Sequence, residues 1–459
     1  MRPLEFWIRA SGRMISHSDA GFPRIAPGSG TTSRLPTGQL PDGAIHPESL
    51  IFDRRLARNV RPLRDDRPQT RDSPPDEGTQ YDPGVSHRRI LLALACLPVF
   101  GQQFTISTIA GSGVAGVALT YPTSVAVDQA GDVYVADWSG LIRKVWVRNG
   151  GTTTVAGIGT LGYRGDGGQA VNAMIGKAIS IALDADGNLY FADSDNNRIR
   201  RVDVFTGVIT TVAGTGAGAD SGDGGPAMHA GVSRPTGIAV DASGDLYFSS
   251  SWSRVRKLTL ATGTIETIAG QPINGFSGDN GPAAAALFWD PIPSAVNRGG
   301  DIYIADYENS RVRIVTRTGT VNTFAGSGAC QPGVAPLGIT VCQGGFAGDG
   351  GPARNAMLNY AASVALDAAG NVYIADTINH RIRLVDAPTG IIYTIAGNGV
   401  NGFSGDGGPA LAAEISFPAG IAVDRSGRVY FSDENNHRVR MLTPVASPMN
   451  RFRVSPRRR

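Results

Sequence analysis

The sequence predicts an all-β fold, a six-bladed β-propeller of four-stranded antiparallel blades. Three observations predict it. A tyrosine recurs at positions 134, 190, 247, 303, 373 and 430, and an Ala-Gly pair ends at 111, 157, 214, 270, 326 and 397. The residues between these markers fall into four short runs broken by Gly- and Pro-bearing turns, which is the punctuation of strands. The last unit stops after its third run, while an unmatched run, Phe104 to Gly111, precedes the first unit.

The unit around Tyr373 shows the elements in order. Ser363-Val364-Ala365-Leu366-Asp367 is apolar throughout and reads as an inner strand buried on both faces. Ala368-Ala369-Gly370 turns the chain into Asn371 to Asp376, the second strand. A loop, Thr377 to His380, leads to Arg381-Ile382-Arg383-Leu384-Val385-Asp386, whose alternation predicts one wet face. Ala387-Pro388-Thr389-Gly390 turns again into Ile391 to Gly397. That gradient from a dry inner strand to a wetter outer one is the blade of a propeller. The tyrosine spacings are 56, 57, 56, 70 and 57 residues, the long one holding a Gly/Pro-rich insertion with Cys330 and Cys342. Pairing of the first run with the last unit closes the ring and removes the exposed edges that invite aggregation.

Composition excludes several classes. The chain has 459 residues with 61 Gly and 28 Pro, high for a globular protein yet short of low complexity. Residues 102–442 carry 23 basic and 28 acidic side chains, so the folded body is mildly acidic and lacks a nucleic-acid footprint. No stretch reaches 18 uninterrupted apolar residues, which argues against a transmembrane span. Three Cys cannot build a multi-disulfide scaffold. Three Lys against 39 Arg reads as GC-rich coding DNA.

Residues 1–87 are thick with Arg, Asp, Pro and Ser and cannot bury enough apolar area to offset their ordering entropy, so they read as a disordered or over-extended leader. His87-Arg88-Arg89 followed by Ile90 to Gly101 has the charged start, apolar run and small residues of a secretory signal. An initiator at Val85 would place that signal at a chain start, and export predicts a secreted or periplasmic protein. A lipid anchor at Cys96 fits less well, because only six apolar residues precede it. With Cys96 removed, Cys330 and Cys342 remain as an even pair that would form a disulfide in an oxidising compartment, worth about 2–3 kcal/mol. Residues 443–459 are a basic tail, expected to be disordered.

Pro418-Ala419-Gly420-Ile421-Ala422-Val423-Asp424, Gly427 to Asp433 and Asn435-Asn436-His437-Arg438-Val439-Arg440 resemble the NHL repeat, and the resemblance covers residues 102–442. Gly402 to Ala410 is similar to the added element of teneurin and exported bacterial NHL propellers. The resemblance implies a six-bladed ring and a binding module for protein or carbohydrate more than any particular chemistry.

Antiparallel connectivity places the loops between second and third strands, and the connections between blades, on one face. That rim is the expected ligand side. It carries Trp138, Trp252 and Tyr307, and Gly-flanked aspartates at Asp166, Asp223, Asp279, Asp349 and Asp406. The aspartates read as turn-capping residues, with Ca²⁺ as the alternative, since one carboxylate per loop is few for a cation that wants six to eight oxygens. Tyr163, Phe276, Phe346 and Phe403, three residues before four of these aspartates, read as wedges between blades. Arg164-Gly165-Asp166 falls inside the repeat template and reads as chance. Asp193 and Arg198, Asp306 and Arg311, Asp376 and Arg381, and Asp433 and Arg438 stand five apart and are expected to form structural ion pairs.

The body holds three His, and His380 and His437, in neighbouring blades, lie too far apart for one metal with bonds near ~2 Å. No phosphate-binding or nucleophile motif appears. The expectation is a monomeric, exported binding propeller with no cofactor and no catalytic residue. A metal-dependent hydrolase or lyase of the lactonase or amidating-lyase type is the alternative, with Asn297 and Asp290-Pro291-Ile292-Pro293 the irregular place to look.

Overall fold

In a computed structural model, the structure describes residues 103–114, 118–328, 330–331, 341–342 and 344–445. The expected leader, the signal-like segment and most of the basic tail lie outside them. Six antiparallel blades, each with four main strands, follow one another around a ring, and blade four carries a further two-residue strand, Gly281–Pro282, on its outer edge. Blade one runs from Pro122–Val127 to Gly151–Ala156, blade two from Ala178–Leu183 to Ile209–Ala213, and blade three from Ile238–Val240 to Thr264–Ala269. Blade four runs from Pro291–Val296 to Thr320–Ala325 and blade five from Ala361–Leu366 to Ile392–Ala396. Blade six holds Pro418–Val423, Val429–Asp433 and Arg438–Pro444, and its fourth strand is Phe104–Ala110 from the other end of the chain. The register sets Phe104 opposite Pro444 and Ile106 opposite Leu442.

The second strand, not the first, is the driest. All five of its residues are buried in every blade. The first strand is only partly buried in most blades, because one side of it borders the axial channel. Apolar residues gather in six clusters, one at each interface between neighbouring blades. A ring built this way has no single centre, and each blade is stable only against its neighbours.

The connections also cover the blades' outer edges. Gly167 N–H donates to Ile209 O at 2.8 Å and Ile209 N–H to Gly168 O at 3.0 Å. The same strap joins Gly224 and Gly225 to Ile265, Gly350 and Gly351 to Ile392, and Gly407 and Gly408 to Ile106. The strapped side chains Ile209, Ile265, Val321, Ile392 and Ile106 are buried. The connection into blade one lacks the Gly-Asp-Gly-Gly element, and there Thr152, which is exposed, stands at the equivalent position. Among the described residues no strap reaches this edge, and a polar side chain there keeps it wet and discourages pairing with another sheet.

Neighbouring blades are also stitched at the rim. Tyr121, Arg234, Tyr360 and Phe417 enter their first strands in the left-handed region, with φ of 49°, 41°, 56° and 50°. Each gives its backbone N–H to a side chain of the preceding blade, to His437 Nδ1, Asn197 Oδ1, Ser310 Oγ and His380 Nδ1 respectively. The two histidines are therefore structural acceptors. They also pack edge-on against Tyr121 at 4.3 Å and Phe417 at 4.9 Å.

Two outcomes follow. Deleting residues 103–111 removes the closing strand, and the protein is expected to lose its cooperative melt or to aggregate; a melt matching the intact chain would contradict ring closure. Burial first, and then the adjacent arginine, lowers both histidine pKa values. The folded rings take up a proton less readily than the unfolded ones, whose ordinary value is about 6.5, so this contribution is full above that value and is lost as pH falls below it. A His380→Asn, His437→Asn double variant keeps an acceptor of the kind Asn197 supplies. Between pH 7 and 5 the wild type is expected to lose stability relative to that variant in denaturant titrations, and parallel curves would refute the stitch.

Candidate functional site

The rim is organised around one arginine per blade. Arg200, Arg256, Arg313, Arg383 and Arg440 are among the largest fully buried side chains in the protein. Each sits on a third strand, at a position the alternating pattern assigns to the wet face. Burying a guanidinium requires carboxylates to meet it. Arg383 Nη1 reaches Asp376 Oδ2 at 3.0 Å, and its Nη2 reaches Asp349 Oδ1 at 2.6 Å. Arg200 joins Asp193 at 3.5 Å and Asp166 at 2.5 Å. Arg313 joins Asp306 and Asp279, and Arg440 joins Asp433 and Asp406. One arginine thus locks the end of the second strand to the incoming connection.

This corrects the expected ion pairs. Asp193, Asp306, Asp376 and Asp433 pair with the arginine seven residues on, not with Arg198, Arg311, Arg381 or Arg438 five residues on. Those four lie directly opposite the aspartates in backbone register. Their guanidiniums instead donate to backbone carbonyls, as Arg381 does to Asn379 O and Asn398 O at 2.9 Å. They also stack on the loop aromatics. Arg198 lies 3.7 Å over Tyr163, Arg311 4.1 Å over Phe276, Arg381 3.8 Å over Phe346 and Arg438 3.7 Å over Phe403. Each ring also faces the buried arginine of its blade, at 4.8–5.1 Å. The aromatics are platforms for two cations each, and the attraction grows as the site dries.

Blade three shows the logic by exception. Ser250 stands where the other blades have the second-strand aspartate, and Asp220 stands where they have the aromatic. Asp220 accepts from Ser250 Oγ and from Ser233 N–H, and pairs with Arg254 at 3.5 Å. The displaced charge is restored from the connection, and an ion pair replaces the ring. Blade one has no incoming aspartate, and among the described residues Arg143 pairs with Asp137 only.

The five rim aspartates are therefore partnered. Burial alone would raise the Asp166 carboxyl, but Thr211, Arg200 and Tyr163 hold it below the ordinary carboxylate value. Thr267 and Arg256 do the same for Asp223. Gly165, at φ 96°, lets the loop pass Ala173, whose Cα would lie 2.9 Å from a Cβ there. A Ca²⁺ ion would compete with a guanidinium at each of these carboxylates. Burial pushes Asp306, Asp376 and Asp433 up to about 6 against the pull of their arginines.

Of the proposed rim aromatics, Trp138 and Trp252 keep part of their surface, with Lys177 Nζ 5.0 Å over the first and Arg234 5.2 Å over the second. Tyr307 is buried and packs edge-on against Tyr360 at 4.9 Å, so it presents no open face to a rim ligand. Cys330 and Cys342 are paired across a two-stranded ladder by backbone register. Their side chains lie outside the described residues. Among the described residues, no three His, Cys, Asp or Glu side chains gather as a metal set, and no helix is long and apolar enough to cross a membrane.

Two carboxyls that sequence reasoning did not assign stand apart. Asp290, fully buried, accepts from Thr236 Oγ1 at 3.1 Å and leaves Oδ2 without a partner. Burial, with Glu308 nearby, raises it to about 8. Glu434, beside the axial channel, is raised to about 8 by burial alone. A signal for it existed. The residue after the second-strand Asp or Ser is Trp138, Ser194, Ser251, Tyr307, Thr377 or Glu434, and only the last is charged.

Comparison with known proteins agrees with this architecture. A profile of the NHL repeat matches residues 288–315, 358–383 and 416–441. Protein SUPPRESSOR OF QUENCHING 1, chloroplastic, of Arabidopsis thaliana is 26% identical over 294 residues, 62% of this chain and 27% of that protein. NHL repeat-containing protein 2 of Bos taurus is 27% identical over 292 residues, covering 58% of this chain and 39% of its own length. Teneurin-3 of Mus musculus is 28% identical over 396 residues, 77% and 14% of the two chains. The chain therefore spans well under half the length of these relatives. Among solved structures, a protein of unknown function from Bacteroides thetaiotaomicron superposes with a TM-score of 0.54 at 17% identity, over 75% of this chain and 76% of that one. An auxiliary nutrient binding protein from the same organism gives 0.52 at 15%, over 75% and 77%. With repeats matched in blades four, five and six and the same architecture in all six, the chain is a six-bladed β-propeller carrying NHL repeats.

Proposed function

We propose that this protein is an exported binding propeller that recognises a protein or carbohydrate with the connections of its rim face. One observation carries the reading. Of the fifteen large apolar side chains left exposed among the described residues, eleven lie on the connections between blades, including Ile158, Leu161, Ile273, Val400 and Leu411. Concentration of exposed apolar surface on one set of loops is the mark of an interaction face. The aspartates of the same loops are paired with the latch arginines while keeping part of their surface, so the rim offers apolar and aromatic surface beside charge that is already partnered. The signal-like segment before residue 102 supports export, and a Cys330–Cys342 disulfide would suit that compartment. Binding of this kind takes no cofactor and needs no second copy. The likeness to a nutrient-binding protein carries the fold and not its ligand.

Ile158, Ile273 and Val400 sit at loop tips, 51–61% exposed. The full chain and an Ile158→Ser, Ile273→Ser, Val400→Ser variant are to be compared on a glycan array and against secreted proteins of the native host. Stability is expected to change by less than about 0.5 kcal/mol. Binding to whatever ligand the wild type retains should weaken at least about tenfold. An unchanged affinity, or no retained ligand on either platform, would remove the rim as the recognition face.

A further inference from the structure

The six first strands enclose a small axial cavity of about 40 Å³, bordered by Ile179, Ile292, Ala362, Ala419, Thr123 and Ser124. Glu434, from the turn after the second strand of blade six, completes its wall. That side chain belongs to a residue only 7% exposed. Among the described residues, no hydrogen-bond donor and no basic group reaches its carboxyl. Its neighbours on the turn are committed elsewhere. Asp433 is held by Arg440 and by Asn436 Nδ2 at 2.9 Å, Arg438 donates to Asn436 O and Ser112 O, and His437 accepts from Tyr121. Tyr307 of blade four is the titratable group that senses it from across the ring.

A carboxyl in such a wall is costly without a partner, and in every other blade the equivalent side chain is neutral. We propose that the axial cavity binds a small alkylammonium head group, with Glu434 as its counter-ion. The chemistry of the walls selects that class. Of the hydroxyls bordering the cavity, Thr123 Oγ1 donates to Ala178 O at 2.9 Å and Thr236 Oγ1 to Asp290 Oδ1 at 3.1 Å, while Ser124 Oγ and Ser180 Oγ accept from Ile181 N–H at 3.2 Å and Ile238 N–H at 3.3 Å, which leaves serine hydroxyls able to accept from an ammonium. A single carboxylate among neutral hydroxyls is a weak set for a hard divalent cation, which wants six or more oxygens and more than one negative charge. The volume admits an ammonium and one or two carbons and excludes a sugar ring. The isoleucine and alanine walls suit an aliphatic stem. The source is a free amine or a lysine side chain of a partner.

Because burial holds Glu434 protonated at neutral pH, the cation must displace its proton, so apparent affinity rises with pH. Calorimetric titration of the full chain with ethylammonium chloride is expected to show one site, about 100-fold tighter at pH 9 than at pH 6, with close to one proton released per cation in the acidic range. Glu434→Gln is expected to keep or raise the melting temperature and to lose the binding. Nα-acetyl-lysine amide separates the two sources, since heat with it points to a partner's lysine and heat with ethylammonium alone points to a free amine. No heat at pH 9 with either probe, pH-independent affinity in the wild type, equal affinity in Glu434→Gln, or displacement by potassium chloride at equal concentration would overturn the proposal. None of these readouts involves the rim loops, so failure here leaves the rim reading standing.

Discussion

Five guanidiniums, buried beyond the reach of water, hold this ring in shape. A buried arginine is unfavourable until carboxylates answer it, and here the answers come from two different segments of chain. In blades two, four, five and six the first carboxylate ends the second strand and the second arrives on the connection from the preceding blade. The latch therefore forms only when a blade and its incoming connection are both in place. Local strand pairing and ring closure become one event, which suits an architecture whose apolar clusters all lie between blades. Blade three keeps the charge balance with a different distribution of residues, which shows that the constraint is on charge and not on a particular motif.

The same connection does three jobs. Its aromatic lies beneath two arginines, its aspartate answers the buried one, and its glycines hydrogen-bond the outer strand. Blade one, which has no such connection, departs at each point. Among the described residues its arginine has one carboxylate and its outer strand no strap, and Thr152 replaces the buried isoleucine or valine. The loops that look like a ligand rim in the sequence are thus first a structural belt, and what they offer outward is apolar side chains at their tips beside carboxylates already paired with arginine.

Much of this was legible from residue order. The tyrosine spacing gave the blade count, and the missing fourth strand of the last unit gave the closure, because both are one-dimensional patterns that the fold preserves. The choice between the two arginines of each Arg-x-Arg run was not legible. Alternation predicts both on the wet face, and only the three-dimensional arrival of the Asp-bearing connection buries the second. Tyr307 looked like a rim aromatic for the same reason, since nothing in sequence shows that Tyr360 of the next blade covers it. The second strand is drier than the first because of the axial channel, a feature no single repeat contains. Glu434 stood out only once the six copies were stacked and the channel was known to run beside that position.

The most direct measurement is a double-mutant cycle on Asp376 and Arg383 by denaturant unfolding of the full chain. If the latch is the central constraint, Asp376→Asn and Arg383→Met each cost about 3–5 kcal/mol by stranding a buried charge, and the double variant costs little more than either alone. Additive costs, or single costs below about 1 kcal/mol, would mean that the arginines merely fill space and that the ring is held by its apolar interfaces alone.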